Sequence, residues 1–224
     1  MSDKLKQVVQ LIFLALFAAL VATGQVQVWV GIFLLGIIAS FFLGRIYCGW
    51  LCPINTVMNA VTAVKKRLGL KKQRIPQALS SPWIKYLLLI LFIAAFAFSM
   101  TTGRAIPALP ALFAAGVALT IFFPEEIWHR YLCPYGTILS VPAGKTKLNM
   151  IIDQQKCDSC GICKKACPAG AVQVSDKAYS IKGSSCLVCL DCSTHCRQDA
   201  INYLNYKPHP SKQQEWAYNH ANYR

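Results

Sequence analysis

The first 123 residues alternate between long apolar runs and short polar connections. Four runs of about 17 to 19 residues contain no charged side chain, at residues 8–24, 26–44, 86–103 and 105–123. Runs of this length are close to the ~20 apolar residues that cross a bilayer as a helix. Surface helices of a soluble protein would carry a polar face, which these runs lack. The pattern predicts four transmembrane helices.

The first apolar run follows Lys4 and Lys6, as the apolar core of a signal peptide would. A second apolar run follows it at once, which is the pattern of a pair of spanning helices. We therefore expect the first run to be retained as a membrane span.

After residue 147 the long apolar runs stop and cysteines become frequent. A short segment containing Pro142, Gly144 and Lys145 separates the two regions, and turn-forming residues of this kind mark a linker. We divide the chain into a membrane part at 1–147, a cysteine-rich domain at 148–206 and a polar tail at 207–224. Apolar residues make up 55% of the chain, against roughly 45–50% in soluble proteins, and the membrane part accounts for the excess.

The formal charge of +14 is unevenly distributed along the chain. Residues 1–147 carry +11, residues 148–206 carry +1 and the tail carries +2. The connection between the second and third apolar runs holds eight basic residues and no acid: Arg45, Lys65, Lys66, Arg67, Lys71, Lys72, Arg74 and Lys85. The positive-inside rule places this connection in the cytoplasm.

This orientation predicts a multi-pass protein of the cytoplasmic membrane, with both termini and the cysteine-rich domain on the cytoplasmic side. Outside the membrane anchor the chain has no face that combines basic and aromatic residues, so we do not predict nucleic acid as a partner. The lipid bilayer is the partner that the charge pattern predicts.

Eight of the eleven cysteines form two runs with the same spacing, CxxCxxCxxxC. In this spacing three thiolates bind one cubane cluster and the fourth binds the other cluster. We therefore predict two 4Fe-4S clusters. The ligands of cluster 1 are Cys157, Cys160, Cys163 and Cys196, and the ligands of cluster 2 are Cys186, Cys189, Cys192 and Cys167.

Other uses of these cysteines fit the spacing less well. A disulfide framework needs an oxidising compartment. A structural zinc ion takes four ligands in two separated pairs, so two runs of four exceed one tetrahedral site.

The stretch at 148–206 resembles the bacterial two-cluster ferredoxin. The resemblance implies a small α+β domain with internal two-fold symmetry, in which residues 150–152 pair with 200–204 and residues 171–174 pair with 179–181. Arg197 stands after the second run, where the first run has Pro168 and the family has proline. The implied fold class is an α-helical membrane bundle followed by an α+β ferredoxin-like domain.

The membrane part contains an internal repeat with an offset of 81 residues, which places GRIYCGWLCPINTVMN on EEIWHRYLCPYGTILS. Each copy has two apolar runs, so both copies keep the same orientation and their motifs should meet at the cytoplasmic surface. Proline is favoured in the first helical turn, so Cys52 and Cys133 are predicted at helix N-termini. Trp50, Trp83, Trp128 and Tyr131 are expected in an aromatic belt at the membrane boundary. Arg45 and Arg130 flank the motifs, where they could stabilise thiolates but are expected to contact lipid phosphates.

The motifs CGWLCP and HRYLCP resemble the paired CxxxCP motifs of the NapH/MauN, NosR and CcoG group of polyferredoxin-like membrane proteins, over residues 1–206. The chain departs from the group at His129, where cysteine is usual. The resemblance implies a quinol-dehydrogenase subunit that relays electrons between the quinone pool and other subunits of a membrane redox complex. No side-chain set suggests bond-making chemistry on an organic substrate, so a stand-alone enzyme is not predicted.

Three interpretations of the set Cys48, Cys52, His129 and Cys133 stay open. The set has the donors of a three-cysteine, one-histidine metal site or of a further iron-sulfur centre. Cys48 and Cys52 alone could form a thiol-disulfide couple. The motifs could also be tight turns with structural cysteines. The alternative functions are a copper-handling assembly factor similar to CcoG and a passive membrane anchor for a ferredoxin domain.

Overall fold

The computed structural model describes residues 3–69, 82–102, 108–175 and 178–205. The polar tail predicted at 207–224 lies outside the described residues.

The described part of residues 1–147 is helical, and its two halves repeat one order of elements. The first half consists of α1 (Asp3–Ala22), α2 (Val26–Leu43), a π-helix at Tyr47–Leu51 that we call π1, and α3 (Pro53–Arg67). The second half consists of α4 (Pro82–Thr102), α5 (Ala108–Phe122), a π-helix at Trp128–Leu132 that we call π2, and α6 (Pro134–Ala143).

Two of these helices are long and apolar enough to cross a membrane, α1 over Lys4–Ala22 and α2 over Val26–Leu43. Only 17% and 22% of their most apolar windows are buried inside the protein, so they are not core helices of a soluble fold. The apolar stretches of α4 and α5 are shorter, at Trp83–Ser99 and Pro110–Phe122. The prediction of four transmembrane helices is therefore not confirmed.

A stripe of buried side chains holds α1 against the rest of the protein. Lys6, Gln10 and Phe17 are buried on one face of the helix, and Phe17 meets Trp29 of α2 with ring centroids 5.1 Å apart. Spacings of four and seven residues bring these side chains to one side of a helix.

Both π-helices arise from the same Cys-Pro sequence and end in the same hydrogen bond. Each ends at a cysteine whose backbone N–H reaches back five residues, from Cys52 to the carbonyl of Tyr47 at 3.0 Å and from Cys133 to the carbonyl of Trp128 at 2.9 Å. Proline then starts the next helix, and its preceding residue is driven to extended geometry. Such π-turns are frequent at functional sites.

The domain from residue 148 onwards contains two antiparallel ribbons. Strand β1 (Leu148–Ile152) pairs with β4 (Ile201–Asn205), and β2 (Val172–Ser175) pairs with β3 (Ala178–Ile181). These pairings confirm the two ribbons that the resemblance implied, with Met150 opposite Tyr203 and Val172 opposite Ile181. Two short helices, α7 (Ile162–Ala166) and α8 (Asp191–Thr194), each follow cysteines of a run.

The aromatic-belt prediction was wrong for Trp50 and Trp128, which are only 6% and 3% exposed. The indole N–H of Trp50 donates to the carbonyl of Val188 at 3.0 Å. The ring of Trp128 lies against Gly116, where an added Cβ would come within 3.0 Å of it. Both rings fill contacts inside the protein and are not available to lipid headgroups.

Candidate functional site

Cys157, Cys160, Cys163 and Cys196 line one cavity. Cys157 and Cys160 lie in the loop that leads into α7, where Gly161 has a φ of 75°, Cys163 lies in α7, and Cys196 follows α8. The carboxylate of Asp158 accepts a hydrogen bond from the backbone N–H of Cys160 at 3.2 Å, which shapes the loop. The structure thus brings together the four cysteines that the sequence assigned to cluster 1.

Cys167, Cys186, Cys189 and Cys192 line a second cavity. The loop between Cys186 and Cys192 curls tightly, since Val188 and Leu190 have φ values of 53° and 66°, a region that non-glycine residues seldom adopt. Backbone N–H groups point at the sulfurs, from Ala171 to Cys167 at 3.2 Å and from Val188 to Cys186 at 3.4 Å. The cysteines assigned to cluster 2 therefore also share one site.

The donors of both cavities suit iron-sulfur clusters. All eleven cysteines are free thiols. Burial raises the pKa of Cys186 to about 11 and that of Cys192 to about 12, so these thiols are neutral until a cation takes the place of the proton. Among the described residues no three His, Cys, Asp or Glu side chains are grouped to hold a single metal ion, whereas a cubane needs its thiolates apart because each binds a different iron.

The structure brings the three cysteines of the paired motifs close to one another. Cys48 and Cys133 are 5% and 8% exposed, in two neighbouring cores, and Cys52 packs against both cores. The backbone N–H of Gly136 donates to the sulfur of Cys133 at 3.3 Å. Burial, followed by the nearby Cys48, raises the pKa of Cys133 to about 12. We call Cys48, Cys52, His129 and Cys133 the membrane-face set.

Arg45 is the cation at the centre of this region, and only 3% of it is exposed. Its Nη2 lies 3.9 Å from the sulfur of Cys48, and its Nη1 lies 3.4 Å from the carbonyls of both Ser184 and Ser185. A side chain at Gly136 would collide with Nη2. The sequence predicted contacts of Arg45 with lipid phosphates, which its burial excludes, whereas the alternative of a place beside thiols agrees with the short distance to Cys48.

Three buried polar atoms of this region have no hydrogen-bond partner in the described structure: Nε of Arg45, Oδ1 of Asn55 and Nε2 of His129. Burial, and then the charge of Arg45, lowers the pKa of His129 to about 3, so the imidazole is neutral and its nitrogen is available as a ligand. An unsatisfied buried polar atom costs ~1–3 kcal/mol. Two of these atoms belong to residues beside the thiols, Arg45 next to Cys48 and Asn55 next to Cys52.

The cluster 2 loop is packed directly on π1. The backbone of Gly49 touches the carbonyl of Leu187 so closely that a Cβ there would collide with it. Lys6 of α1 forms an ion pair with Asp191 at 2.6 Å, and the amide of Gln10 donates to the carbonyl of Gly49 at 2.9 Å. The first repeat of the membrane part therefore holds the loop that carries Cys186 and Cys189.

Sequence reasoning missed Lys6, Gln10, Gly49 and Gly136 as parts of this arrangement. Lys6 and Gln10 gave a usable signal, because polar residues four apart at the start of an apolar helix mark a face turned towards protein. The glycines gave none, since their role depends on backbone contacts between segments distant in sequence.

Comparison with known families is consistent with this geometry. A family described as "4Fe-4S binding domain" matches residues 25–71 and again 105–150, so it covers both repeats with their paired motifs. A family described as "4Fe-4S dicluster domain" matches residues 156–201, which contain the two cysteine runs.

Three relatives show the range of proteins that this chain resembles. Protein NirI of Paracoccus denitrificans is 32% identical over 171 residues, which is 67% of this chain and 25% of NirI. Ferredoxin-type protein NapH of Haemophilus influenzae is 24% identical over 71% of this chain and 62% of NapH. The methylamine utilization ferredoxin-type protein MauN of Methylorubrum extorquens is 27% identical over 65% of this chain and 56% of MauN.

The chain thus spans between a quarter and about three fifths of the length of these relatives. No solved structure matches it significantly.

Proposed function

Because the chain is a NapH/MauN-type ferredoxin-like membrane protein, we propose that it is an iron-sulfur subunit that relays electrons between the membrane and a partner oxidoreductase. The observation that carries this proposal is the contact between π1 and the cluster 2 loop. One thiol quartet lies against the membrane part, while the other lies at the surface of the domain.

In this proposal Cys157, Cys160, Cys163 and Cys196 hold cluster 1, and Cys186, Cys189, Cys192 and Cys167 hold cluster 2. When bound, 4Fe-4S clusters supply one-electron transfer. Residues of the membrane part hold the segments that carry the ligands of cluster 2. Trp50 holds the cluster 2 loop at Val188, and Lys6 holds α8 at Asp191.

We infer four membrane spans, of which those in α4 and α5 have the shorter apolar stretches. Support comes from the repeat, because α4 and α5 occupy the places of α1 and α2 in the second copy. Lys65 also supports a bundle, since its ammonium donates to the carbonyls of Thr120 and Phe123 and thereby caps the end of α5. The positive-inside rule supports a cytoplasmic position for the ferredoxin-like domain, and we propose quinone as the membrane carrier.

At the membrane-face set we propose a further iron-sulfur centre. Support comes from the three neighbouring thiols and the three orphaned polar atoms, and from the family described as "4Fe-4S binding domain", which spans both motifs. The described residues do not form a single-ion site, so a copper-handling role similar to CcoG is less well supported than an iron-sulfur centre.

Replacing Cys52 and Cys133 together with serine tests this further centre. We expect the iron content per chain to fall and quinol-dependent electron transfer to be lost, because two of the donors are removed. The paramagnetic resonance signals of the two ferredoxin clusters should persist in the reduced protein. Anaerobic metal analysis and redox-poised spectra of the same samples provide the measurement.

His129→Ala and His195→Ala form a matched pair for the same centre, because His129 is buried and His195 is exposed. Only His129→Ala should lower the iron content. Unchanged iron and unchanged electron transfer in both the double cysteine variant and His129→Ala would leave only the passive anchor. Copper bound by the wild type and lost in His129→Ala would favour the assembly factor instead.

A further inference from the structure

The two thiol quartets differ in how they meet the rest of the protein. The contacts described above between the membrane part and the cluster loops fall on the cluster 2 side, at Ser184, Ser185, Leu187, Val188 and Asp191. The thiols Cys186, Cys189 and Cys192 are only 7–8% exposed. In contrast, Cys160 is exposed, and Cys157 and Cys196 are partly exposed. Cluster 1 is therefore the outer site of the described structure.

Basic residues flank the cysteines of the outer site in the sequence. Lys156 precedes Cys157, Lys164 and Lys165 follow Cys163, and Arg197 follows Cys196, and all four basic residues are exposed. We call these four residues the outer rim. The acids beside them are Asp153, whose carbonyl accepts from the N–H of Cys157, Asp158, which accepts from the N–H of Cys160, and Asp199, so the region has an excess of one positive charge.

The site of cluster 2, which we call the inner site, has few charged residues beside its cysteines. The immediate neighbours of its four cysteines are uncharged except for Asp191, whose carboxylate is paired with Lys6. The excess of basic side chains within the ferredoxin-like domain thus lies where cluster 1 approaches the surface. It is absent where cluster 2 meets the membrane part in the described structure.

We propose that the outer rim is the docking surface for a redox partner whose own contact surface is acidic. This inference rests on the proposed function, because only an electron carrier needs a partner at this edge. A partner must approach the exposed thiol of Cys160 closely to exchange electrons with cluster 1. Complementary charge speeds the encounter and fixes its orientation.

The test uses the full chain with its clusters, kept anaerobic in nanodiscs of phosphatidylcholine. Flavodoxin, an acidic one-electron carrier, and cytochrome c, a basic one, serve as probes, and equilibrium binding is the readout. We expect tighter binding of flavodoxin than of cytochrome c. The affinity for flavodoxin should fall as salt rises from about 50 to about 200 mM, because exposed charges become screened.

Two matched variants locate the surface. Lys164→Glu with Lys165→Glu should weaken flavodoxin binding about tenfold. Lys145→Glu with Lys147→Glu makes the same change in net charge at two exposed lysines outside the rim, and should leave the affinity within about twofold of the wild type. Paramagnetic resonance of both clusters shows that each variant is folded.

If both double variants weakened flavodoxin binding equally, only the net charge of the protein would matter, and the proposal would be overturned. The same binding is measured in discs that contain phosphatidylglycerol. If the wild type and the rim variant then bind flavodoxin with equal affinity, the rim contacts lipid phosphates, and the proposal is also overturned. A protein without reducible clusters refutes the proposed function, whatever it binds. A protein with both clusters that does not discriminate between the probes refutes the docking surface alone.

Discussion

Cys167→Ala is expected to abolish cluster 2 and to spare cluster 1, although Cys167 belongs to the first run of cysteines. In the structure its sulfur lines the cavity of Cys186, Cys189 and Cys192 and accepts from the N–H of Ala171 at 3.2 Å. The variant should lose about four iron atoms per chain, because a cubane with three thiolates is no longer held. Iron analysis and paramagnetic resonance of the dithionite-reduced protein measure the loss.

Cys196→Ala is the reciprocal control, since Cys196 belongs to the second run and lines the cavity of Cys157, Cys160 and Cys163. It should remove cluster 1 and leave the signals of cluster 2. If Cys167→Ala instead removed the cluster of Cys157, each run would bind its own cluster and the interleaved assignment would be wrong.

Gly49→Ala is expected to release the cluster 2 loop from the membrane part. The new methyl group would collide with the carbonyl of Leu187 and lie 3.3 Å from the backbone of Cys189. Backbone cannot move aside as a flexible side chain can, so the loop must shift. Overpacking of this kind costs about 1–3 kcal/mol, or a fall of roughly 2–10 °C in melting temperature. We also expect an altered resonance signal from cluster 2 and slower electron transfer from the membrane.

Gly31→Ala is the matched control, because Gly31 is an exposed residue of α2 and an added Cβ there meets nothing within 4 Å. Alanine favours a helix over glycine by up to ~1 kcal/mol, so this variant should be at least as stable as the wild type. If Gly49→Ala behaved like Gly31→Ala in melting temperature and in the cluster 2 signal, the close contact between π1 and the loop would not exist in solution.

Local pattern was sufficient to predict much of this fold. The spacing of the cysteines assigned each of the eight to one of two groups, and the same groups line the two cavities. The resemblance to two-cluster ferredoxins implied both ribbons. The Cys-Pro repeats predicted the starts of α3 and α6, because proline at the first helical position depends on neighbouring residues alone.

The contacts between distant segments could not be predicted in this way. Trp50 was assigned to a lipid boundary and Arg45 to lipid phosphates, but both are buried at the junction with residues 184–188. A basic or aromatic residue at the end of an apolar run has the same sequence signature whether lipid or another domain covers it. Likewise, the uncharged runs at 86–103 and 105–123 are about as long in the sequence as the first two runs, whereas the apolar stretches of α4 and α5 in the structure are shorter.

The ion pair of Lys6 and Asp191 joins positions 185 residues apart, which has a consequence for biogenesis. The ribosome delivers the first helix to the bilayer long before residue 191 is synthesised. Until then, the ammonium group of Lys6 lacks the carboxylate with which it pairs in the structure. The ion pair can therefore form only after α8 has been synthesised, and a product truncated before residue 191 would leave Lys6 without this partner.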